Sequence, residues 1–238
     1  MSSKKYRNKI CVYCGETPSS APDHVFARQF FLEAHRQQLP MVPACTICNN
    51  VKARLEHYVL GVLPFGGRHT DAEKHLAERL PSRLAKNAKL HRSLAEAVAA
   101  GERLESVNDG AVLVLPFESD KLDRLIDYVV RGLLFHHFES LLPATHGVKV
   151  VKATDHGAAM VDQIFQMRTP HRVLVNLGDG TVIYEGAQTV DNPALSAWRF
   201  RLFGGAMLVG DPAAPTATTS EVAAFTIRKE LLDDVAPA

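Results

Sequence analysis

The chain has 238 residues and 46% hydrophobic content, enough for one large domain or a small module with a larger partner; no apolar run approaches the ~20 residues of a membrane span. The net charge of +1 excludes a uniformly polybasic protein but hides a division: residues 1–92 carry 15 Lys/Arg against 7 Asp/Glu (+8), and residues 93–238 carry 12 against 19 (−7). All four cysteines lie in the first 48 residues behind a polar, basic start, which argues against a secreted disulfide scaffold and for reduced thiols in a cytoplasmic protein.

In chain order, residues 7–13 read as a short strand entering the first cysteine pair, and 15–22 as a loop rich in Gly, Pro and Ser. Residues 23–31 read as a strand or short helix, and 39–43 as extended because two prolines exclude a regular helix. A helix is predicted from Thr46, with Val51, Leu55, Tyr58 and Val59 at helical steps, ending near Pro64 and Gly66-Gly67. Residues 70–104 read as basic and mostly helical, split by Pro81. A turn at Asn108-Asp109-Gly110 precedes a strand over 111–116, and 120–142 is the clearest helix of the chain. Strands are then predicted over 148–152, 172–177 and 181–185, the last two joined by the hairpin signal Gly178-Asp179-Gly180. Residues 198–203 and 206–209 suggest a second hairpin across Gly204-Gly205, and 211–220 a loop. The fold class expected is α+β: a cysteine-bearing module over 1–66, a basic helical arm over 67–110, and a domain over 111–238 with an antiparallel sheet and a long helix.

The chemistry concentrates in the first module. Cys11-Val12-Tyr13-Cys14 and Cys45-Thr46-Ile47-Cys48 are two pairs with two intervening residues each, the spacing of a closed tetrahedral zinc site. Redox dithiols are the competing reading; they predict thiols that titrate freely without metal. Between the pairs lies Asp23-His24, and Asn49 abuts the last cysteine. Zinc would bring Asn49 near the loop carrying Asp23, so that a carboxylate and a carboxamide oxygen could share one Mg²⁺-type cation. His24, with an ordinary pKa of about 6.5, suits a general base acting on water.

These residues carry a resemblance. The run Cys-x-x-Cys-Gly, then Asp-His-Val-Phe, then Val-Pro-Ala-Cys-x-x-Cys-Asn-Asn-x-Lys resembles the HNH, or ββα-metal, nuclease superfamily, in its four-cysteine branch that includes phage recombination endonuclease VII. The likeness covers about residues 8–62. It implies that structural zinc holds a two-strand hairpin onto a helix, that His24 is the general base, and that Asp23 and Asn49 hold the catalytic Mg²⁺ or another divalent cation. It also implies that Lys52 touches phosphate, and it selects DNA over RNA. In one place the chain departs from the pattern: where the superfamily has a middle Asn that buttresses the base loop, this sequence reads Pro40-Met41, with Gln37 and Gln38 the nearest polar side chains.

Arg28 and the basic arm, including Arg83 and Lys86, are further candidates for phosphate contact. Glu56 reads as a solvated helix face, with orienting a basic residue or a metal-bound water the alternative, and His57 as a surface histidine rather than a third metal ligand. His136-His137 reads as structural, and Asp155-His156-Gly157 as a turn. The sequence reading is therefore a zinc-containing, metal-dependent DNA endonuclease with no membrane partner and homodimerisation left open. Its main rival is a non-catalytic zinc module that binds nucleic acid. The charge division further suggests an acidic C-terminal region laid over a basic front.

Overall fold

The computed structural model describes residues 5–100, 103–105, 111–113, 117–152, 155–166, 170–206, 208–211, 214–219 and 221–232. The cysteine-bearing end begins with turns rather than the strand expected over 7–13. The chain must reverse inside the first knuckle, so its backbone groups bond locally: Cys11 N–H to the Thr17 carbonyl at 2.9 Å, and Gly15 N–H to the Cys11 carbonyl at 2.8 Å. Gly15 takes φ +72°, a left-handed conformation that suits a glycine at the reversal.

Strand β1 (Ala21–His24) then pairs antiparallel with β2 (Met41–Ala44), placing Asp23 opposite Val42 and His24 opposite Met41. Helix α1 (Thr46–Val62) follows β2 directly, and the Cys45 sulfur accepts from the Cys48 N–H at its start. The order strand, strand, helix agrees with the expected local order. Val12 N–H donates to the Pro43 carbonyl at 3.1 Å and so ties the first knuckle to β2.

The basic segment folds as α2 (Thr70–Lys74), one widened turn, α3 (Leu80–Lys86) and α4 (Ala88–Ala100). Pro81 lies in the first turn of α3, where its missing N–H does no harm; in an unbroken helix it would leave a carbonyl one turn earlier without a donor. A short antiparallel pair, β3 (Arg103–Glu105) and β4 (Ala111–Leu113), comes next. The expected turn at Asn108-Asp109-Gly110 lies outside the described residues, as does the end of the strand expected over 111–116.

Helix α5 (Ser119–Phe138) buries Leu122, Leu125, Ile126, Val129, Leu133 and Leu134, which is the stripe the sequence implies. A left-handed residue, Glu139 at φ 54°, ends it. The main sheet is five-stranded and antiparallel, and is built from β5 (His146–Lys152), β6 (Arg172–Leu177), β7 (Val182–Gln188), β8 (Ser196–Leu202) and β11 (Val222–Arg228) in the order β5-β11-β8-β7-β6. Side chains alternate across it. Tyr184, Trp198, Phe200 and Ala224 join the main core, while Ala187, Ala197 and Ala223 meet Val161 and Phe165 of α6 (Asp155–Gln166) on the other face. Asp155 and His156 thus open a helix rather than form the expected turn.

Two more expectations are corrected. The segment after β8 does not fold back on it: β9 (Leu208–Asp211) pairs with β10 (Ala214–Thr219), which occupies most of the expected 211–220 loop. The chain leaves β8 because Phe203 is anchored elsewhere. Its ring stacks on Phe30 with centroids 5.9 Å apart, and its carbonyl accepts from the Arg68 N–H at 2.8 Å. Pairing partners of this kind are tertiary information that a Gly-Gly turn does not contain.

Helix α5 lies between the sheet and the β1-β2-α1 unit, touching α1 and β2 on one side and β5 and β11 on the other. One buried apolar cluster therefore runs from Val25, Phe26 and Val59 through Leu125 and Val129 to Tyr184 and Trp198. Gly132 permits the close approach: a Cβ there would sit 2.8 Å from Val25, the residue after His24. Among the described residues, no helix is long and apolar enough to cross a membrane.

Candidate metal centre and active site

The four cysteine sulfurs converge. All lie within 4.8 Å of one another, none forms a disulfide, and Cys11 and Cys45 are buried. Four sulfurs at about 2.3 Å from a tetrahedral zinc stand about 3.8 Å apart, so a slight contraction closes the site. Backbone N–H groups already point at the sulfurs: Thr17 to Cys14 and Cys48 to Cys45, both at 3.5 Å. The protonation chemistry agrees with a metal. Burial pushes the Cys48 thiol well up, aided by the neighbouring cysteines. Burial also acts to raise Cys14, but the N–H groups of Thr17 and Glu16 outweigh it and bring that thiol down to about 6. Four thiolates so close together repel, and a dication is what relieves them. The donor set and spacing fit structural zinc.

Asp23 and His24 end strand β1, and Asn49 stands in the first turn of α1, half-buried, with its N–H bonded to the Cys45 carbonyl at 3.0 Å. The link between the two elements is Lys52. Its ammonium is completely buried; it donates to the His24 carbonyl oxygen at 2.8 Å, lies 3.1 Å from Asp23 Oδ2, and pairs with Glu56. Asn49 and Lys52 are three residues apart and share a helix face, so the face that reaches Asp23 and His24 also presents Asn49. Tyr13, from the first knuckle, donates to Asp23 Oδ2 at 2.6 Å.

This arrangement corrects two expectations. Lys52 is not at the surface and does not meet a phosphate from there. Glu56 is not on a solvated face; it is 8% exposed, and burial lifts its carboxyl to about 6 against the opposing pull of Lys52. The helical pattern held the clue, since residues 52, 55, 56 and 59 occupy one stripe whose other members, Leu55 and Val59, are apolar and buried. Gln37 and Gln38 are exposed, and their side chains make no hydrogen bond to a described residue. The polar contact to the backbone at His24 comes from Lys52, which donates to its carbonyl.

The remaining candidates divide. Arg28 and Lys86 are exposed. Arg83 is buried, donates to Gln29 Oε1 at 3.3 Å, and is brought down to about 10 by burial and by Arg79, so it too is withdrawn from the surface. His57 is half-buried, and His137 bonds the Tyr184 hydroxyl at 2.9 Å in a structural role.

Burial lowers the pKa of His24, Asp23 opposes this, and Arg28 and Lys52 act with burial, which favours the neutral ring. Its Nδ1 is buried without a hydrogen-bond partner, and the ring bonds no described residue. Asp23 Oδ2 is engaged, whereas Oδ1 makes no hydrogen bond to a described residue. Comparison with protein-family models, with curated proteins and with solved structures found no match.

Proposed function

We propose that this chain is a metal-dependent endonuclease of the HNH type that hydrolyses phosphodiester bonds in DNA. One observation carries the reading: the Asp23-His24 pair is clasped by Lys52 to the start of α1, beside Asn49, in a strand-strand-helix unit closed by four convergent thiols. In this reading Asp23 and Asn49 hold the divalent cation, which when bound supplies polarisation of the scissile phosphate and charge stabilisation of the leaving oxygen. His24 accepts the proton of the attacking water, and its neutral imidazole is the form that can do so. Lys52 fixes the backbone at His24, and Tyr13 fixes the carboxylate of Asp23, so neither group has to be ordered when substrate binds.

Nicking of supercoiled plasmid in Mg²⁺ or Mn²⁺ tests this. His24→Ala should reduce cutting by about 10²–10⁴-fold, the range of a lost general base. Equal cutting by the two proteins refutes the assignment.

A second reading, a non-catalytic zinc module that binds nucleic acid, has an observation of its own. An ammonium 3.1 Å from Asp23 Oδ2 competes electrostatically with a divalent cation at the same carboxylate. DNA binding without cutting in either metal favours it.

A further inference from the structure

Outside the Asp23-His24 site the molecule has a groove of ≈ 650 Å³ between the first cysteine knuckle, α5, β5 and the turn after β11. That volume lies in the range of sites that hold nucleotide-sized ligands. Tyr13 and Cys14 form the knuckle wall; Arg124 and Arg131 project from α5, Lys149 from β5 and Lys229 from the turn. Among the described residues that line it, these four cations face two carboxylates, Asp123 and Asp127, and Lys149 also donates to the Leu232 carbonyl at 3.4 Å.

Both carboxylates are already engaged. Asp127 accepts from Arg131 at 3.0 Å, and Asp123 pairs with Lys152 at 2.7 Å. Arg124 and Lys229 are exposed and have no ion-pair partner among the described residues. β5 is an edge strand, and its consecutive residues Val148, Lys149 and Val150 all line the groove. Tyr128, half-buried, turns its ring edge-on to Tyr13 at 5.1 Å between centroids. One wall residue is shared with the candidate active site: Tyr13 lines the groove and donates a hydrogen bond to Asp23 Oδ2.

We infer that this groove binds a phosphate-bearing strand: a few nucleotides of single-stranded nucleic acid, with phosphates against Arg124, Lys149 and Lys229 and a base against Tyr128. The nucleic-acid identity rests on the reading above; the site for a multiply charged phosphate chain does not depend on cleavage. Cations in a concave, partly desolvated wall attract phosphates more strongly than the same charges on a convex surface. An aromatic ring beside them stacks any base without reading sequence. The wall belongs to the half of the chain that is acidic overall, so this half offers a basic surface to a substrate rather than simply covering the basic front.

The test uses the full, zinc-loaded chain carrying His24→Ala, without divalent cation, and a fluorescent single-stranded DNA of about 12 nucleotides, within the usual site sizes of such grooves. Adding Arg124→Glu and Lys229→Glu should weaken binding at least about 30-fold and lower the slope of log affinity against log salt by about 1.4, two phosphate contacts on a single strand. Lys86→Glu, at the arm's own candidate phosphate contact, should weaken binding less than the groove pair does, because it stands alone on a convex surface where salt screens it. No DNA binding by the parent, or an equal loss at Lys86 with none at the groove, overturns the proposal. Loss of zinc with unchanged DNA affinity would mean that these cations only balance the thiolates, which also overturns it. If inorganic phosphate displaces the DNA at an equal concentration of phosphate groups, the site takes a lone phosphate and the strand assignment falls. Arg124→Gln with Lys229→Gln gives a smaller loss in the same direction should the charge-reversed protein fail to fold. Binding that is intact in a parent whose wild-type form never nicks plasmid retains the groove and removes the nuclease.

Discussion

Two clusters of buried charge, one on the main sheet and one on α1, are built in opposite ways. In the sheet, Glu185 is the buried member at 3% exposure; Arg172 and Arg199 grip it at 2.6 and 2.7 Å from the half-open surface, and Asp162 takes the far side of Arg199. Beside the candidate active site the buried member is a cation, Lys52, enclosed by Asp23, Glu56 and a backbone carbonyl. Arginines on a β-surface keep part of their hydration, so the sheet cluster is moderately costly and could serve stability alone. A fully dehydrated ammonium is expensive, and apolar residues would fill its place as well or better. It also fixes one particular carbonyl, that of His24. The contrast suggests that the first cluster holds the sheet together, and the second holds a site.

The largest expected effect comes from the four-cysteine centre of the unit that carries the second cluster. Chelation, or Cys45→Ser, should unfold the β1-β2-α1 unit and abolish any cutting, because the knuckles have little regular structure of their own. Far-UV and near-UV circular dichroism with and without chelator measures it; an unchanged spectrum after stoichiometric metal removal breaks the structural role. Next is Lys52→Met, which leaves Asp23 and Glu56 buried without their cation. Denaturant unfolding should show a loss of about 3–5 kcal/mol. Glu185→Gln should cost less, about 1–3 kcal/mol, since both arginines can turn to water and Arg199 retains Asp162. If the two losses come out equal, or in reverse order, the distinction between the clusters fails.

A separate test is a pH dependence that belongs to neither cluster and gives the baseline for both. Burial brings His75 and His137 down to about 4, with Arg79 acting in the same direction on His75 and His136 on His137. His75 Nε2–H donates to the Phe30 carbonyl at 2.9 Å. Folded pKa values below the unfolded value of about 6.5 mean that the unfolded chain binds the protons more readily. Their contribution is therefore complete above pH 6.5 and is lost as pH falls from 6.5 through 4. Denaturation midpoints measured across that window should drop, and the double variant His75→Gln, His137→Gln should flatten the drop.

Local pattern carried much of the architecture. The apolar stripe of α5 and the Gly178-Asp179-Gly180 hairpin between β6 and β7 depend on residues close in the chain, and both are found; the split expected at Pro81 is not, since the helical run passes it through one widened turn and breaks at Asn87. The pairing of the strand after β8 was not legible, because Phe203 is anchored more than 100 residues away in sequence, on Phe30. At the candidate site the cysteine spacing made the convergence of four thiols readable. The positions of Lys52, Glu56 and Arg83 were not read correctly, because a charged residue type argues for the surface and only the packing of neighbouring elements withdraws it.

What the sequence by itself determined is the set of local devices: two cysteine pairs, a helix from Thr46, an amphipathic α5 and an antiparallel sheet, fixed by short-range stereochemistry and hydrophobic period; the strand-strand-helix order was expected only through the resemblance. What only the tertiary structure decided is where charge goes. It buried a lysine to hold His24, withdrew an arginine from the surface of the arm, and gathered cations of the acidic half into a groove beside the knuckle. The physical reason is that charge acts through space: its energy depends on distance and dielectric, and separation along the chain specifies neither.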